Sequence, residues 1–581
     1  MKKLIPILII ILLFPAVAWS TTTYADGSLP GGTDCTSADY SIANRSCTGS
    51  DGNAYNTVQE AVNVSGSGDT VYVRTGSYQE MVNISDAGGE GGLTENPTEW
   101  FTLSTYNSEV VTIADTGTAW HRGIMNGGTN GNKPYNFIKI IGFTIADGFS
   151  ECVTMTTDTG GHGDGAIGGH DWWIEDIICQ GTDASGGIQI IGGDENFSGV
   201  PSYNVTIKNC TVTGAGEHGI KINGDDQGDI DQCHTHNVLI EGNTTYNNTY
   251  TGIYSSTGNY DVVIKNNTSY GNGWWGIGMN ENWSTSRGNL KIEGNTVYGN
   301  SQVGSTYGRA EIVIQYVSGV LVQYNEVRNA GGWAAIYDTN TLSGHSDVNE
   351  YLYNIIRDNT GTNGGLRFNS NSYDNLVYGN VFVNNKYGIY SEGDFIAKNN
   401  IFYNNTETAG DYLIYLTSAT GFAEDDIDYN IYYGPNLTNR WYFGSATNVW
   451  ETWKAFFNNN DSNSPTPADP LFTDESNDIY TIGAESPAKD TGLTIGATWD
   501  DARDLNDLDI TDGVDTLNQD SYGAGWEIGA YVYGSEDSDT IIKKIMNYFR
   551  RLRGDNGITQ DNHPAHQSAL AQVQEHLAQR P

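Results

Sequence analysis

Short alternations of apolar and polar residues recur down the chain. In the run Ile220-Lys221-Ile222-Asn223, apolar side chains occupy every second position, which is the pattern of a β-strand with one buried face. Polar turns rich in Gly and Asn separate these runs and leave no room for a helix within a repeat. The pattern therefore predicts many short strands.

Two marks repeat with the strands. The first is an Asn followed by strand-forming residues, at Asn209, Asn243, Asn267, Asn295, Asn325, Asn354, Asn380, Asn400 and Asn430. The second is a small residue before an aliphatic one, at Gly187-Ile188, Gly219-Ile220, Gly252-Ile253, Gly276-Ile277, Ala335-Ile336, Gly365-Leu366 and Gly388-Ile389. The Asn marks are 20 to 34 residues apart, and units of this size bury their apolar faces only by stacking. We expect a solenoid with an Asn ladder in its turns, because Asn tolerates left-handed backbone angles and can hydrogen-bond to the backbone.

The ends of the repeat carry a more specific resemblance. NTVQEAVNVSGSGDTVYVRTGSY (Asn56 to Tyr78), ADPLF (Ala468 to Phe472), SPAKDTG (Ser486 to Gly492) and EIGAY (Glu527 to Tyr531) resemble the end segments of the pectate-lyase-like superfamily. The resemblance implies an all-β, single-stranded, right-handed parallel β-helix with an N-terminal capping helix and a C-terminal closing segment. We expect residues 21–110 to form the cap and first coils, 111–434 the β-helix, and 435–534 the closing segment.

The two termini have other compositions. Lys2 and Lys3 precede an apolar run from Leu4 to Phe14 and a small-residue pattern ending at Ala18, which predicts a signal peptide over residues 1–20. We therefore expect a secreted, extracellular protein, because the apolar run is short for a membrane anchor. Residues 535–581 are predicted to form a linker and a basic amphipathic tail, through which alone membrane contact is expected.

Charge and cysteines narrow the partners. The formal net charge is 28 − 70 = −42, which disfavours nucleic acid because phosphate binding needs a basic face. Solubility, a saline habitat or bound Ca²⁺ each account for that charge. We expect a monomer in which Cys35 and Cys47 pair, while the connectivity of the other four cysteines is open.

Strand alternation also predicts an outward face. If Ile220 and Ile222 point into the core, Lys221 points out, and the same parity exposes residues such as Gln189, Ser256 and Arg367 on neighbouring coils. Aromatic and amide side chains on this face suit sugars, which stack on rings and form hydrogen bonds. The predicted substrate-binding residues are Tyr250, Tyr254, Trp274, Asn280, Trp333, Tyr337 and Tyr390. The alternative is that these rings only pack over turns.

Acidic residues follow three successive coils at nearly the same position. They are Asp158, Asp194, Glu195, Asp225 and Asp226. Like charges on neighbouring strands repel each other, so either a cation neutralises these carboxylates or some of them carry protons through raised pKa values. Because Ca²⁺ favours clustered carboxylates, we predict calcium as a cofactor here. Solvated acidic turns are the alternative. The irregular spacing of the histidines, among them His218, predicts turn and surface roles instead of a metal site.

The resemblance also suggests a chemistry. Polysaccharide lyases of this superfamily use Ca²⁺ to neutralise a uronate carboxylate while Lys or Arg removes a proton, so Lys221 is the candidate base, and Arg367 a second candidate or a charge clamp. No complete catalytic signature matches. Two alternatives therefore stay open: a non-catalytic extracellular glycan-binding, adhesin or matrix protein, and a glycoside hydrolase with paired carboxylates near Asp194 and Asp225. In each case the expected partner is an extracellular polysaccharide.

Overall fold

The structure is a computed structural model. It describes residues 20–84, 99–115, 117, 122–126, 136–155, 169–183, 185–192, 201–224, 235–256, 258–280, 289–301, 310–339, 348–405, 411–417, 426–438, 440–443, 446–456, 461–504 and 514–533. The chain divides into two units, residues 1–533 and 534–581. The predicted tail and all but the last residue of the predicted signal peptide lie outside the described residues, so both stay predictions.

Three long sheets dominate the described residues, and successive coils add strands to each sheet in turn. In spatial order, the first sheet contains Asn53–Tyr55, Thr22–Ala25, Thr70–Val73, Phe101–Thr105, Ile138–Ile141, His170–Glu175, Tyr203–Lys208, His236–Glu241, Tyr260–Lys265, Leu290–Glu293, Val320–Gln323, Glu350–Leu352, Asn375–Tyr378, Phe395–Lys398 and Ile427–Asp428. The second contains Gly76–Gln79, Val111–Ala114, Phe143–Ile145, Ile178–Cys179, Thr211–Thr213, Thr244–Tyr246, Thr268–Tyr270, Thr296–Tyr298, Glu326–Arg328, Ile355–Arg357, Val381–Val383, Ile401–Tyr403 and Ile431–Tyr433. The third contains Val82–Asn83, Arg122–Asn126, Glu151–Met155, Ile188–Ile191, Ile220–Asn223, Ile253–Ser256, Ile277–Asn280, Ala310–Gln315, Ala334–Thr339, Gly364–Phe368, Tyr387–Ser391, Tyr412–Leu416, Trp441–Phe443 and Ala446–Asn448. Neighbouring strands of these sheets are parallel, except for the antiparallel last pair of the third.

The interior follows the alternation seen in the sequence. Ile220 and Ile222 are fully buried, whereas Lys221 between them points outward and is half-buried. Ile220 lies in register with Ile188 on one neighbouring strand and with Ile253 on the other. Repetition of this arrangement joins the inward side chains of successive coils into one apolar core.

An Asn ladder runs through the turn between the first and second sheets. Two residues separate the paired strands in each of ten successive coils, from Glu175 and Ile178 to Asp428 and Ile431. In eight of these coils, from Asn243 to Asn430, the second residue is the ladder Asn. Its side-chain amide donates to the Asn of the following coil, as Asn325 Nδ2 does to Asn354 Oδ1 at 3.0 Å. The ladder therefore ties these eight coils to one another.

Of the two predicted reasons for the Asn preference, hydrogen bonding to the backbone is confirmed, as Asn325 Nδ2 donates to Ile292 O, whereas the left-handed backbone angle was wrong. The residue with the left-handed backbone is the one before each ladder Asn, for example Asn266 (φ 56°) and Tyr324 (φ 57°). Asn209 is also in this left-handed position (φ 54°), and Cys210 occupies the ladder position of that coil, where its N–H donates to Asn243 Oδ1. The ladder Asn is selected for its buried amide hydrogen bonds.

A second ladder lies between the second and third sheets and contains a carboxyl group. Asn248 Nδ2 donates to Asn272 Oδ1, and Asn272 Nδ2 donates to Asn300 Oδ1. The next acceptor is Glu311, whose carboxyl receives the Asn300 backbone N–H at 3.1 Å and the Asn300 amide. Glu311 is fully buried, and this burial raises its pKa to about 8.

The helix predicted at the N-terminal end is present. It spans Val58–Asn63 and begins with a capping box, in which Thr57 and Glu60 bond each other's backbone N–H groups. Its residues Val58, Ala61 and Val62 are fully buried in the same core as the coils. The amphipathic pattern thus buries its apolar side, as the sequence indicates.

The described C-terminal residues do two different things. The helix Trp450–Phe456 packs two tryptophans near Trp441 of the last coils, with ring centroids 5.5 Å apart for Trp450. The described residues of 470–504 and 514–533 instead pack along the outside of earlier coils. Their strands are Phe472–Asp474, Ile479–Ile482, Asp501–Asp504, Thr516–Asn518 and Tyr531–Val532. For example, Trp499 Nε1 donates to Glu350 Oε2 at 2.9 Å. Much of the closing segment therefore covers a side of the solenoid.

Two disulfides are present among the described cysteines. Cys35 and Cys47 are bonded, as predicted, and Cys152 is bonded to Cys179, which joins consecutive coils. Cys210 is a buried free thiol. Across the described part of the chain, no helix is both long and apolar enough to cross a membrane.

Candidate functional site

The outward face of the third sheet carries the candidate residues. Strand register aligns one outward residue from each coil into a single row, which we call the outer column. In order it contains Thr154, Gln189, Lys221, Tyr254, Gly278, Val313, Tyr337, Arg367, Tyr390, Tyr415 and Tyr442. Neighbouring members are one strand apart, which is about 4.8 Å.

Lys221 is the cation of the early coils in this column. It lies between Gln189 and Tyr254 in the register. Gln189 is buried and turned aside, because its Nε2 donates to Ser185 Oγ at 2.6 Å. The Lys221 ammonium has no ion pair with any residue that the structure describes. Among the described residues, this ammonium group is therefore the candidate contact for an anionic ligand.

His218 lies beside Lys221, and its predicted surface role was wrong. The ring is 6% exposed and stacks on Tyr254 with centroids 4.4 Å apart. Its Nδ1 accepts the Thr251 backbone N–H at 3.3 Å, so the ring proton is on Nε2. Burial, together with the charge of Lys221, lowers the pKa of His218 to about 3. His218 is therefore a neutral ring that supports Tyr254.

The aromatic candidates near Lys221 are packed against one another. Tyr250 and Trp274 stack with centroids 4.0 Å apart, and the Tyr254 hydroxyl accepts a hydrogen bond from Asn280 Nδ2 at 3.1 Å. Tyr250, Tyr254 and Trp274 thus each have at least one ring face covered by another ring. Four of the predicted substrate-binding residues come together around Lys221, but as a packed group.

The middle of the outer column is buried, which corrects the prediction of a continuous exposed face. Trp275, Val313 and Tyr337 belong to a separate apolar cluster on the outer side of the sheet, with exposures of 3%, 0% and 6%. The glycine at position 278 leaves room for the Trp275 ring, since a Cβ there would lie 2.4 Å from it. Ser256, which was also expected to be exposed, is buried.

Arg367 belongs to the late coils and is already partnered. Its Nη2 lies 2.8 Å from Glu392 Oε1, and its guanidinium lies 5.1 Å from the ring centroids of both Tyr337 and Tyr390. Trp333 is 38% exposed and packs edge-on to Tyr337. Five strand steps separate Arg367 from Lys221, or about 24 Å, so the two cations cannot act on one bond.

Three tyrosines of the late coils were missed by the sequence reading. Tyr412, Tyr415 and Tyr442 lie beside Tyr390 on the next two strands of the third sheet. Their coils lack the small residue that marks the other repeats, with Leu413 and Arg440 in its place. The alternation in YLIYL (Tyr412 to Leu416) was the available signal.

A family model confirms the handedness of this architecture. Residues 171–315 match the model described as right handed beta helix region. The chain folds as a right-handed parallel β-helix. This confirms the predicted fold and, at the level of the fold, the resemblance on which the prediction was based.

Comparison with solved structures places this β-helix beside proteins of several activities. The Azotobacter vinelandii mannuronan C-5 epimerase AlgE6 A-module is 17% identical with a TM-score of 0.37, over 67% of this chain and 94% of that chain. The pectate lyase Pel9A is 10% identical with a TM-score of 0.36, over 89% and 97%. The Streptococcus pneumoniae surface protein and adhesin PfbA is 16% identical with a TM-score of 0.42, over 62% and 95%. Likenesses this distant assign no activity. No curated protein matches the chain.

The predicted calcium ligands of the β-helix follow the third-sheet strands that end at Met155, Ile191 and Asn223. These ligands, which are Asp158, Asp194, Glu195, Asp225 and Asp226, all lie outside the described residues. Within the described residues, the one group with metal-binding spacing is Cys35, Asp39 and Cys47, and both of its cysteines are in a disulfide. The calcium site therefore stays a prediction.

Proposed function

We propose that this β-helix is a secreted polysaccharide lyase that binds an acidic glycan on the outer face of its third sheet. The observation that carries the proposal is Lys221, an outward ammonium group without an ion-pair partner among the described residues, beside Tyr254 and Asn280. Amide, phenol and ammonium groups together suit a hydroxyl-rich polymer that bears carboxylates. The fold supplies a long face, which suits a chain-like ligand.

The proposed reaction is β-elimination at a uronate residue. The Lys221 amine, in its free-base form, takes the proton from the carbon that bears the carboxylate. The electron pair of that C–H bond forms a double bond to the neighbouring carbon, and the glycosidic oxygen leaves that carbon and receives a proton from water. No described carboxylate forms an ion pair with Lys221.

We keep Ca²⁺ in the proposal as the ion that neutralises the uronate carboxylate. Neutralisation favours removal of the adjacent proton, because the charge that develops in the transition state is stabilised. The carboxylates that follow the strands ending at Met155, Ile191 and Asn223 are the proposed ligands.

Product chemistry tests this function. Purified protein is incubated with polygalacturonate, alginate and glycosaminoglycans, and the ultraviolet absorbance of an unsaturated sugar end is followed. We expect the absorbance to rise with one of these polymers, and to stay flat with Lys221→Ala but not with the control Lys291→Ala, which removes an outward lysine of the first sheet. A flat trace with wild-type protein and all polymers would overturn the lyase, and new reducing ends without absorbance would indicate hydrolysis.

Non-catalytic glycan binding is the second candidate. It is favoured by the arrangement of Arg367, which is paired with Glu392 and lies about 24 Å from Lys221 by strand spacing. Among the described residues of the outer column, the cation of the early coils, Lys221, thus has no ion pair, and the cation of the late coils, Arg367, has one. Polymer binding without any cleavage product would support this candidate.

A further inference from the structure

Five tyrosines form a distinct surface on the late coils of the third sheet. They are Tyr387, Tyr390, Tyr412, Tyr415 and Tyr442, and we call them the tyrosine platform. They come from three successive strands, and all five are half-buried. The buried cluster around Val313 separates the platform from the surroundings of Lys221.

The rings of the platform use their faces on each other. Tyr390 and Tyr415 are stacked at 4.8 Å and 8°, and Tyr415 and Tyr442 at 4.1 Å and 3°. Tyr387 and Tyr412 form a parallel stack at 5.8 Å and 19°. A ring stacked on both faces presents its edge and hydroxyl group to a ligand. Because the edge of an aromatic ring carries partial positive charge, such a surface favours anions over the apolar faces of neutral sugars.

The charges around the platform have the same preference. Lys386 lies 5.6 Å from the Tyr387 ring centroid, and its ammonium has no ion pair with the described residues. Arg367 lies 5.1 Å from the Tyr390 ring centroid, and Glu392 balances its charge. Burial raises the pKa values of Tyr387, Tyr390 and Tyr415, so these hydroxyls stay protonated. The hydroxyls of Tyr415 and Tyr442 also form a hydrogen bond with each other, which raises the pKa of Tyr415 further. The Asp411 carboxylate also acts on Tyr387, and it raises the pKa of that hydroxyl further. The preference for anions here therefore rests on the hydroxyl donors and on Lys386.

We propose that the tyrosine platform is a second glycan-binding site, which anchors anionic polysaccharide through its carboxylate or sulfate groups without acting on them. The choice of a polysaccharide as occupant rests on the proposed function, whereas the preference for anions rests on the ring edges, hydroxyl groups and Lys386. Seven strand steps separate Tyr415 from Lys221, or about 34 Å, so the platform holds a part of the polymer remote from the bond that is cleaved.

Paired polymers test the anionic preference. Binding of the full chain is measured by calorimetry with dextran, dextran sulfate and polygalacturonate, at about 0.15 M salt, where the Debye length of about 8 Å screens the rest of the protein. We expect binding to dextran sulfate or polygalacturonate, and at least tenfold weaker binding to dextran. Comparison of the first two polymers shows whether the site prefers sulfate or carboxylate groups. Equal binding to dextran would overturn the proposal.

Variants that keep the rings locate the site. Tyr415→Phe combined with Tyr442→Phe removes two hydroxyls but leaves the stack, and we expect binding to weaken roughly tenfold or more, because hydrogen bonds to charged groups are lost. Lys386→Gln should weaken binding further. The control is Tyr270→Phe, since Tyr270 lies in a similar stack on the second sheet, with Tyr246 and Tyr298 each 5.0 Å away. Unchanged affinity in the combined platform variants would overturn the proposal.

The two proposals fail separately. If wild-type protein forms no unsaturated product but binds anionic polymer through Tyr415, Tyr442 and Lys386, the lyase is wrong and the platform stands. If product forms and is lost in Lys221→Ala, while the platform variants bind normally, the platform is wrong and the lyase stands. Thermal unfolding of each variant shows whether a loss of binding reflects a loss of folding.

Discussion

Replacing one ladder asparagine should destabilise several coils together. Asn325 Oδ1 accepts the backbone N–H and the side-chain amide of Asn295, both at 2.9 Å. Asn325 Nδ2 donates to Ile292 O at 2.9 Å and to Asn354 Oδ1 at 3.0 Å. In Asn325→Ala, two N–H groups of Asn295 and the Ile292 carbonyl lose these partners in a buried turn. At about 1–3 kcal/mol for each orphaned group, the free energy of unfolding falls by at least ~3 kcal/mol.

Urea unfolding and hydrogen exchange measure this loss. Because a solenoid is stabilised by neighbour contacts, the amides of residues 290–300 and 350–357 should exchange faster in Asn325→Ala, while those near the N-terminal helix change little. The control is Asn329→Asp, an exposed turn position of the same coil with φ 57°, which an Asp tolerates. A wild-type urea midpoint and exchange pattern for Asn325→Ala, or an equal loss in the control, would refute the reasoning.

Three further predictions concern pH, metal and packing. The pKa of Glu311 rises from its ordinary 4.5 to about 8 on folding, so the folded protein binds this proton more tightly than the unfolded chain does. The free energy of unfolding of the wild type should therefore fall as the pH rises from 5 to 8, by up to ~5 kcal/mol relative to Glu311→Gln. Parallel pH profiles of the urea midpoint in the two proteins would contradict this. Calorimetry on chelated protein should show calcium binding that weakens when Asp225 and Asp226 become Asn, and unchanged binding would dismiss that site. Trp275→Ala should lower the free energy of unfolding by about 3–5 kcal/mol, because it removes the largest buried ring from the outer apolar cluster. A melting temperature equal to that of the wild type would show that Trp275 contributes little to stability.

The local sequence pattern was sufficient to predict the fold, but it did not predict which outward side chains are exposed. Alternation around Ile220 and Ile222 predicted the strands, and the repeated Asn predicted a ladder, because both depend on periods that the sequence displays. The sequence does not display what covers an outward residue. Tyr337 obeys the parity yet is 6% exposed, because Trp275 and Val313, which lie far from it in the chain, form an apolar cluster with it outside the sheet.

Residues without a repeating neighbour were also hard to place. Glu311 takes the position of a ladder acceptor, which neither its charge nor its local sequence indicates. His218 has the spacing of a turn residue but is buried under Tyr254 by contacts between coils. For Lys221, the alternation along the strand correctly predicted that the side chain points outward. Only the structure shows that it has no ion-pair partner among the described residues. Side-chain packing between coils, which differs at each level, decides these cases.

The unequal connections of the solenoid have a consequence for how such proteins diversify. Two residues join the first sheet to the second in ten successive coils, whereas the connection from the third sheet back to the first ranges from three residues (257–259) to seventeen (84–100). Insertions and deletions in the two-residue connection would break the Asn ladder there, but in the connection from the third sheet to the first they leave the two ladders described above intact. Evolution can therefore lengthen or exchange segments beside the outer face of the third sheet at little cost in foldability. A designer who transfers a ligand-binding segment into this fold should join it at the connections from the third sheet to the first.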